Sequence, residues 1–197
     1  MEAEFDTEKL FWIFEPKNYS ISKEEIRITT EPNTDFWQRT YYGFRNDNAH
    51  SILLKTDEKF FSFIVKASFD YKNMYDQCGI VIYQNSDNWV KASVEYENDS
   101  FQRLGSVVTN NGYSDWATTD INSSIAQVYY RLSRRKSDFL IESSFDGKDF
   151  EQMRVFHLFE GGGEIDFGLY ACSPLNSSFE AVFSGFEVMN CTWEKHG

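Results

Sequence analysis

The stretch KFFSFIVKASFD, residues 59–70, decides the fold class of this 197-residue chain. Phe61, Phe63, Val65 and Ala67 occupy alternate positions in it, and a mixed set of residues stands between them. Successive side chains of a β-strand point to opposite faces, so this alternation predicts a strand with one continuously apolar face. Such a face has to be buried against another layer of structure.

The same period of two recurs on both sides of this stretch, while helical periodicity is nearly absent. GIVIY (79–83) and WVKASVEY (89–96) are separated by a turn-favouring QNSDN, which predicts a hairpin. Asp146-Gly147 predicts another, because glycine adopts a positive φ at little cost. Roughly ten to thirteen strands of ordinary length fit the chain. We therefore predict an all-β protein, an antiparallel two-sheet sandwich with residues 1–197 as a single domain.

Composition and charge narrow the function classes. Aromatic residues make up 18% of the chain and there are only 3 prolines, which excludes a disordered or collagen-like protein. The 31 acidic residues exceed the 19 basic ones, giving a formal net charge of -12. This charge repels phosphate backbones and anionic lipid surfaces, so we expect no nucleic-acid and no membrane partner.

Targeting and cysteine signals point to one compartment. The N-terminal MEAEFDTEKLF lacks the basic and apolar segments of a secretory signal, and no apolar stretch reaches the roughly 20 residues of a membrane span. Cys78, Cys172 and Cys191 are odd in number, lie far apart and include no C-x-x-C pair. These features predict a cytoplasmic protein without disulfides.

Signals for a metal or a cofactor are weak. His50, His157 and His196 do not stand at metal-ligand spacing with one another or with a cysteine. The glycine run 161–163 lacks the Lys-Ser/Thr and the helix of a phosphate loop, so it predicts a flexible connection. We expect no metal and no cofactor, although a loop histidine such as His50 could serve as a general base.

Six sequence strings carry a resemblance to a known family. They are TDFWQRTYYGFRNDNAH (34–50), YDQCGIVIY (75–83), NWVKASVEYEN (88–98), SVVTNNGYSDW (106–116), YRLSRRKSDFLIESSFDGKDF (130–150) and GLYACSP (168–174). In this order they resemble the domain-of-unknown-function family numbered 1349, whose fungal members are called regulation-of-enolase proteins. The resemblance implies a concanavalin A-like lectin/glucanase jelly roll, and it implies no established reaction.

The strand predicted at 89–96 supplies the first candidate site residues. Alternation divides its side chains between a face with Val90, Ala92, Val94 and Tyr96 and a face with Trp89, Lys91, Ser93 and Glu95. The second face combines an aromatic ring, a cation, a hydroxyl and a carboxylate, which are the groups that bind a sugar. The alternative is an exposed outer face held by a Lys–Glu pair.

Further candidates come from the preceding strand and from loops. Gln77 and Tyr83 share a face of that strand and would add hydrogen-bonding groups. Trp37, Tyr41 and Trp116 stand beside turn-forming residues, where they would line a rim, although buried aromatics that close the ends of a sandwich are the alternative. The predicted ligand-binding set is Trp37, Gln77, Trp89, Lys91, Glu95, Asp115 and Trp116.

These residues fit two functions of different classes. The favoured one is a non-catalytic module that binds a carbohydrate or another polar small molecule, because a Lys91–Glu95 pair would depress the carboxyl pKa and make a poor general acid. The alternative is a glycan-active hydrolase that uses Glu95 with a second carboxylate, Asp76 or Asp115. A regulatory protein-interaction domain, suggested by the name of the fungal relatives, is a third hypothesis.

Overall fold

The structure is a computed structural model that describes residues 5–194. A short 3-10 turn, Thr7–Lys9, precedes the first strand. The strands of this range are β1 (Phe11–Ile13), β2 (Asn18–Ile21), β3 (Glu25–Thr29), β4 (Phe36–Gln38), β5 (Arg45–Asp47), β6 (His50–Thr56), β7 (Phe60–Phe69), β8 (Gln77–Asn85), β9 (Asn88–Tyr96), β10 (Phe101–Asn110), β11 (Tyr113–Asn122), β12 (Gln127–Arg135), β13 (Asp138–Ser144), β14 (Glu151–His157), β15 (Ile165–Cys172) and β16 (Glu180–Asn190).

Two seven-stranded antiparallel sheets form the body of the molecule. Sheet A has the order β1-β6-β15-β8-β9-β10-β11, and sheet B has the order β14-β13-β12-β7-β16-β3-β2. Strands β4 and β5 form a separate two-stranded ribbon. Strands β8 and β9 pair as the hairpin predicted there requires, and β10 pairs with the other edge of β9. The prediction of an all-β, antiparallel two-sheet sandwich is confirmed.

The main core lies between the sheets and follows the alternation of β7. Phe61, Phe63, Val65 and Ala67 are each at most 2% exposed and belong to the main core cluster. Burying one large apolar side chain contributes about 1.5–3 kcal/mol, so this strand face is a principal source of stability. Val90, Ala92 and Val94 of β9 belong to the same cluster.

The predicted turn at Asp146-Gly147 joins β13 to β14. Gly147 has a φ of 76°, and the Asp146 carboxylate accepts hydrogen bonds from the backbone of Lys148 and Asp149. Strand β14 begins only at Glu151, because the Asp146 carboxylate holds Lys148 and Asp149 in the turn.

Sheet A is covered on both faces, which the sequence pattern alone did not indicate. A second core cluster lies on its outer face, beneath the ribbon of β4 and β5, and includes Phe36, Trp37, Val81, Trp89, Val107 and Tyr170. Trp89 is fully buried there, its ring stands 5.3 Å from that of Phe36, and its Nε1 donates to the Ser86 carbonyl. The expectation that Trp89 lines an open binding surface is therefore wrong, because the ribbon seals this part of the face.

Three further expectations concern the cysteines, membrane spans and His196. Cys78 and Cys172 are buried free thiols, and Cys191 is a partly buried free thiol. Within residues 5–194, no helix has the length and apolar character needed to cross a membrane. His196 lies outside the described residues.

Candidate functional site

A pocket of about 340 Å³ opens on the outer face of sheet A, next to the second core. Its volume falls within the range of small-molecule sites. Its polar lining includes Asn46 and a group of four side chains, here called the polar wall: Asp35, Gln77, Lys91 and Glu95. Its aromatic wall consists of Trp37, Tyr42, Phe44, Tyr75 and Trp116. Five of the seven predicted ligand-binding residues, Trp37, Gln77, Lys91, Glu95 and Trp116, are thus brought to one pocket.

The register of β8 and β9 places the polar wall. Gln77 is directly opposite Glu95, and both side chains point to the outer face. The Gln77 Oε1 accepts from the Lys91 Nζ at 3.0 Å and from the Tyr170 hydroxyl at 3.0 Å. The Ser93 hydroxyl is a third, more distant donor to this oxygen, at 3.4 Å. These donors orient the amide, so its Nε2 is directed to Glu95 and donates to the Glu95 Oε2 at 2.8 Å.

Lys91 is buried and balanced by charge. Its Nζ lies 3.4 Å from the Asp35 Oδ1 and 5.7 Å from the centre of the Tyr170 ring. Burial by itself lowers the pKa of Lys91, but the negative charge of Asp35 and its neighbours outweighs burial and raises the pKa above its ordinary value. Lys91 therefore stays protonated and serves to hold Asp35 and Gln77 in place.

Glu95 differs from the prediction in its partner and in its acidity. Lys91 pairs with Asp35 rather than with Glu95, so the expected Lys91–Glu95 ion pair does not form. Burial raises the pKa of Glu95 to about 7, and the opposing effect of the Lys91 charge is smaller. Glu95 can consequently exist as a neutral acid or as a carboxylate near neutral pH.

The aromatic wall forms a corner around Trp37. The Trp37 ring is 5.5 Å from Tyr42 at 70° and 6.4 Å from Trp116 at 81°, so both neighbours stand nearly perpendicular to it. Trp116 is 36% exposed, while Trp37 is mostly buried and donates from its Nε1 to the Thr40 carbonyl. This corner offers a ligand an exposed apolar ring surface beside the polar wall.

Asp115 is not part of the pocket. Alternation along β11 directs Trp116 to the pocket and Asp115 to the opposite face. There its Oδ1 accepts from the Arg154 Nη2 at 2.6 Å, across to sheet B. The expectation that Asp115 stands on the same rim as Trp116 is corrected by this one-residue offset.

Asp76 also lies outside the pocket, where it holds the turn before β8. Its fully buried carboxylate accepts from the backbone of Lys72 and Asn73 and, at 2.6 Å, from the Ser177 hydroxyl. A carboxylate with three donors is committed to structure and is a poor partner for Glu95 in acid–base chemistry.

His50 is likewise committed to structure rather than placed in an open loop. It begins β6, its Nδ1 lies 2.7 Å from the Phe14 carbonyl, and its Nε2 accepts from the Glu31 backbone at 3.1 Å. Burial lowers the pKa of His50, so the neutral ring fits this arrangement. Among residues 5–194, no cluster of three His, Cys, Asp or Glu side chains could hold a metal ion.

Several residues that line the pocket are absent from the predicted ligand-binding set. Asp35 is the most important, because it balances the buried Lys91. Its position beside the aromatic run 36–42 was a usable signal, but nothing in the sequence paired it with a lysine 56 residues away. Tyr41, expected to line a groove, is 93% exposed and does not line the pocket, whereas its neighbour Tyr42 does. Tyr83 packs against the second core.

A larger cavity, of about 480 Å³, lies between strands β10 and β11 of sheet A and strands β13 and β14 of sheet B. Its lining includes Asp146, whose pKa is lowered to about 2 by the turn hydrogen bonds that its carboxylate accepts. That carboxylate already serves the turn. We place the candidate site in the smaller pocket, because Glu95 there has a perturbed pKa and an incomplete set of partners.

Comparisons with known proteins agree with this architecture. The profile of the family described as Protein of unknown function (DUF1349) matches residues 12–191. Regulation of enolase protein 1 of Saccharomyces cerevisiae is 30% identical over 177 residues, which are 90% of this chain and 87% of that protein. A solved structure of a functionally unknown protein from Saccharomyces cerevisiae aligns with a TM-score of 0.87 and 26% identity, covering 95% of this chain and 100% of that one.

A more distant likeness is to part of a larger protein. The GH43 protein BlXynB from Bacillus licheniformis aligns with a TM-score of 0.72 and 15% identity, over 96% of this chain but only 38% of that chain. At this identity the likeness establishes the shared sandwich fold and carries no activity across.

Proposed function

The chain belongs to the family described as Protein of unknown function (DUF1349), and we propose that it is a non-catalytic module that binds a carbohydrate or another small polar molecule. The family description assigns no reaction, so the chemistry of the pocket has to support the proposal. The ligand would occupy the pocket between the polar wall and the aromatic wall.

One observation carries this proposal: exposed aromatic rings and fixed polar groups line the same pocket of about 340 Å³. A sugar ring presents an apolar face to an aromatic ring and directs its hydroxyls to polar neighbours, so Trp116 and Glu95 suit its two sides. Gln77 and Lys91 are already held by hydrogen bonds, so the polar wall is preorganised for a ligand.

Binding is favoured over hydrolysis by the state of the carboxylates. A glycosidase needs two carboxyl groups that flank the scissile bond, and neither Asp76 nor Asp115 lines the pocket. Asp35 does line it, but Asp35 is paired with Lys91.

Calorimetric titration with xylotriose, cellotriose and maltotriose tests the carbohydrate form of the proposal. We expect saturable binding of at least one of these sugars and at least a tenfold loss of affinity in Trp116→Ala. Phe159→Ala is the matched control, because Phe159 is a 65% exposed ring outside the pocket and its loss should leave affinity unchanged. If none of the three sugars binds, or if Trp116→Ala binds as the wild type does, carbohydrate binding at this pocket is rejected.

Hydrolysis remains the second candidate because of one specific observation, the pKa of about 7 for Glu95. That value suits a general acid at neutral pH. Incubation with 4-nitrophenyl glycosides tests it, and we expect no release of nitrophenol above the level of Glu95→Gln. Turnover that Glu95→Gln abolishes would replace binding by catalysis as the function.

A regulatory protein interaction rests on the name of the yeast relative, Regulation of enolase protein 1. That name describes the relative, and the pocket chemistry adds nothing to it. We therefore rank this hypothesis below ligand binding.

A further inference from the structure

We propose that the ligand of this pocket carries one positive charge, an ammonium group seated between Glu95 and the ring of Trp116. The inference rests on the proposed function, because it names the chemical class that the same pocket would take. It is carried by three features, which are the pairing of the nearby charges, the contacts of Glu95 and the geometry of the aromatic wall.

The charges around Glu95 leave one negative charge unbalanced. The charged groups that act on it are Asp35, before β4, Lys91 on its own strand, Glu97, after β9, and Arg103 on β10. Lys91 pairs with Asp35 at 3.4 Å, and the Arg103 Nε lies 3.0 Å from the Glu97 Oε1. Three carboxylates thus face two cations, and Glu95 is the carboxylate without a cation of its own. A monovalent cation would complete the balance.

The contacts of Glu95 leave it able to bind a ligand. Gln77 donates to its Oε2, and both hydrogens of that amide are used, the other by the Tyr75 carbonyl at 3.2 Å. Within residues 5–194, no other side chain or backbone group donates a hydrogen bond to Glu95. Because Glu95 lines the pocket and is not fully buried, its second carboxylate oxygen is available to a cation in the pocket.

The aromatic wall suits the same charge. Trp37, Tyr42 and Trp116 meet at angles of 70° and 81°, so their ring faces surround a corner rather than a flat surface. Aromatic corners of this kind bind ammonium groups through cation–π attraction. The Trp116 ring already attracts the Arg103 guanidinium, which lies 5.3 Å from the ring centre.

Other ligand charges fit less well. An anion would be repelled by the ionised Glu95 and by the net charge of -12 on the chain. A neutral ligand would leave the Glu95 charge without a counter-charge at pH values above its pKa of about 7. A cation would lower that pKa on binding and so couple its own affinity to the ionisation of Glu95.

Choline and 3,3-dimethyl-1-butanol provide the test, because they share one shape and differ in a permanent positive charge. Titration of the wild type at pH 8 should give at least tenfold tighter binding of choline. Between pH 5.5 and pH 7, choline affinity should rise by roughly fifteenfold, and it should level off above about pH 8, following the ionisation of Glu95. Equal affinity for the two compounds would overturn the inference.

Variants test whether choline binds at Glu95, and a comparison of choline with the sugars distinguishes failure of this inference from failure of the proposed function. Glu95→Gln should lose at least tenfold in choline affinity together with the pH dependence, while the exposed Glu164→Gln should keep both. Retention of choline affinity in Glu95→Gln overturns the inference. If xylotriose, cellotriose or maltotriose binds through Trp116 and choline does not, the charged ligand is rejected and the proposed function stands. If neither the sugars nor choline binds, both are rejected.

Discussion

Trp89 and Glu95 lie on the same face of strand β9, six residues apart, yet one is core and the other lines a pocket. Trp89 is fully buried beneath the ribbon of β4 and β5, against Phe36. Glu95 stands beyond the cover of that ribbon, where its carboxyl group meets the pocket. Lys91 lies between them and belongs to both environments, since it is buried and also lines the pocket.

The difference between Trp89 and Glu95 shows that a covering ribbon turns part of one strand face into core and leaves the rest accessible to a ligand. Where the ribbon packs closely, an aromatic side chain contributes stability in the way that any core residue does. Where the cover ends, the same face exposes polar groups that are already oriented by buried neighbours. Mutations at the closed end of this face, around Trp89, should therefore lower stability. Mutations at its open end, around Glu95, should change ligand binding and the pH dependence of stability.

The largest effect is expected at the closed end. Trp89→Ala should lower the free energy of unfolding by about 3–5 kcal/mol, because it removes a buried ring and leaves a cavity. Urea denaturation measures this, and Trp116→Ala at the open end should cost only about 1 kcal/mol. A smaller loss for Trp89→Ala than for Trp116→Ala would contradict the division of the strand face.

The second effect is expected at Lys91, between the two ends. Lys91→Met leaves the Asp35 carboxylate without its cation and should cost about 3 kcal/mol of unfolding free energy. Adding Asp35→Asn should recover much of that loss, because it removes the uncompensated charge. Lys55→Met is the control, since the Lys55–Glu164 pair is exposed and should contribute less than about 1 kcal/mol. The same loss in both single variants would show that the Lys91–Asp35 pair is not specially buried.

The third effect is a pH dependence at the open end. The folded pKa of Glu95 is about 7 against an ordinary 4.5, so the folded state binds the proton more strongly than the unfolded state. The contribution of Glu95 to stability should therefore be fully present below about pH 4.5 and be lost as the pH rises through 7.

The Glu95→Gln variant tests the expected loss of stability with rising pH. The variant stays neutral at every pH, so at pH 8 it should be more stable than the wild type by about 1–3 kcal/mol, after allowance for solvent screening. Near pH 4.5 the two proteins should have similar stability. Denaturation series at both pH values measure the difference, and a wild type that is the more stable protein at pH 8 would contradict it.

The smallest effect on stability is expected for the adjacent residues Tyr41 and Tyr42, which should differ in their effect on binding. Tyr42 lines the pocket and Tyr41 is 93% exposed outside it, so either alanine substitution should change the unfolding free energy by less than about 1 kcal/mol. Only Tyr42→Ala should weaken the binding of a pocket ligand, by about threefold or more. Titration with choline measures this, and an equal loss in Tyr41→Ala would place the ligand outside the pocket.

Much of the fold followed from local patterns. One core strand face was evident from the alternation of Phe61, Phe63, Val65 and Ala67, because apolar residues at every second position indicate a β-strand with one buried face. The Asp146-Gly147 pair identified a turn, since few residues adopt the positive φ that Gly147 shows. The resemblance to the family had already implied the sandwich that the structure confirms.

The candidate site was predictable in part. The pattern on β8 and β9 placed Gln77, Lys91 and Glu95 on one face, which the register of the two strands bears out. It could not pair Lys91 with Asp35, because the two residues are distant in sequence and meet only when the ribbon folds over sheet A. The assumed Lys91–Glu95 pair was therefore wrong, and with it the expectation of a depressed carboxyl pKa.

The sequence by itself determined which side chains share a face of each strand, because the geometry of a β-strand is local. Tertiary structure decided which part of a face is covered, which charges are paired and how acidic Glu95 is. Those properties depend on burial and on distances between segments far apart in the chain, and no local pattern encodes them.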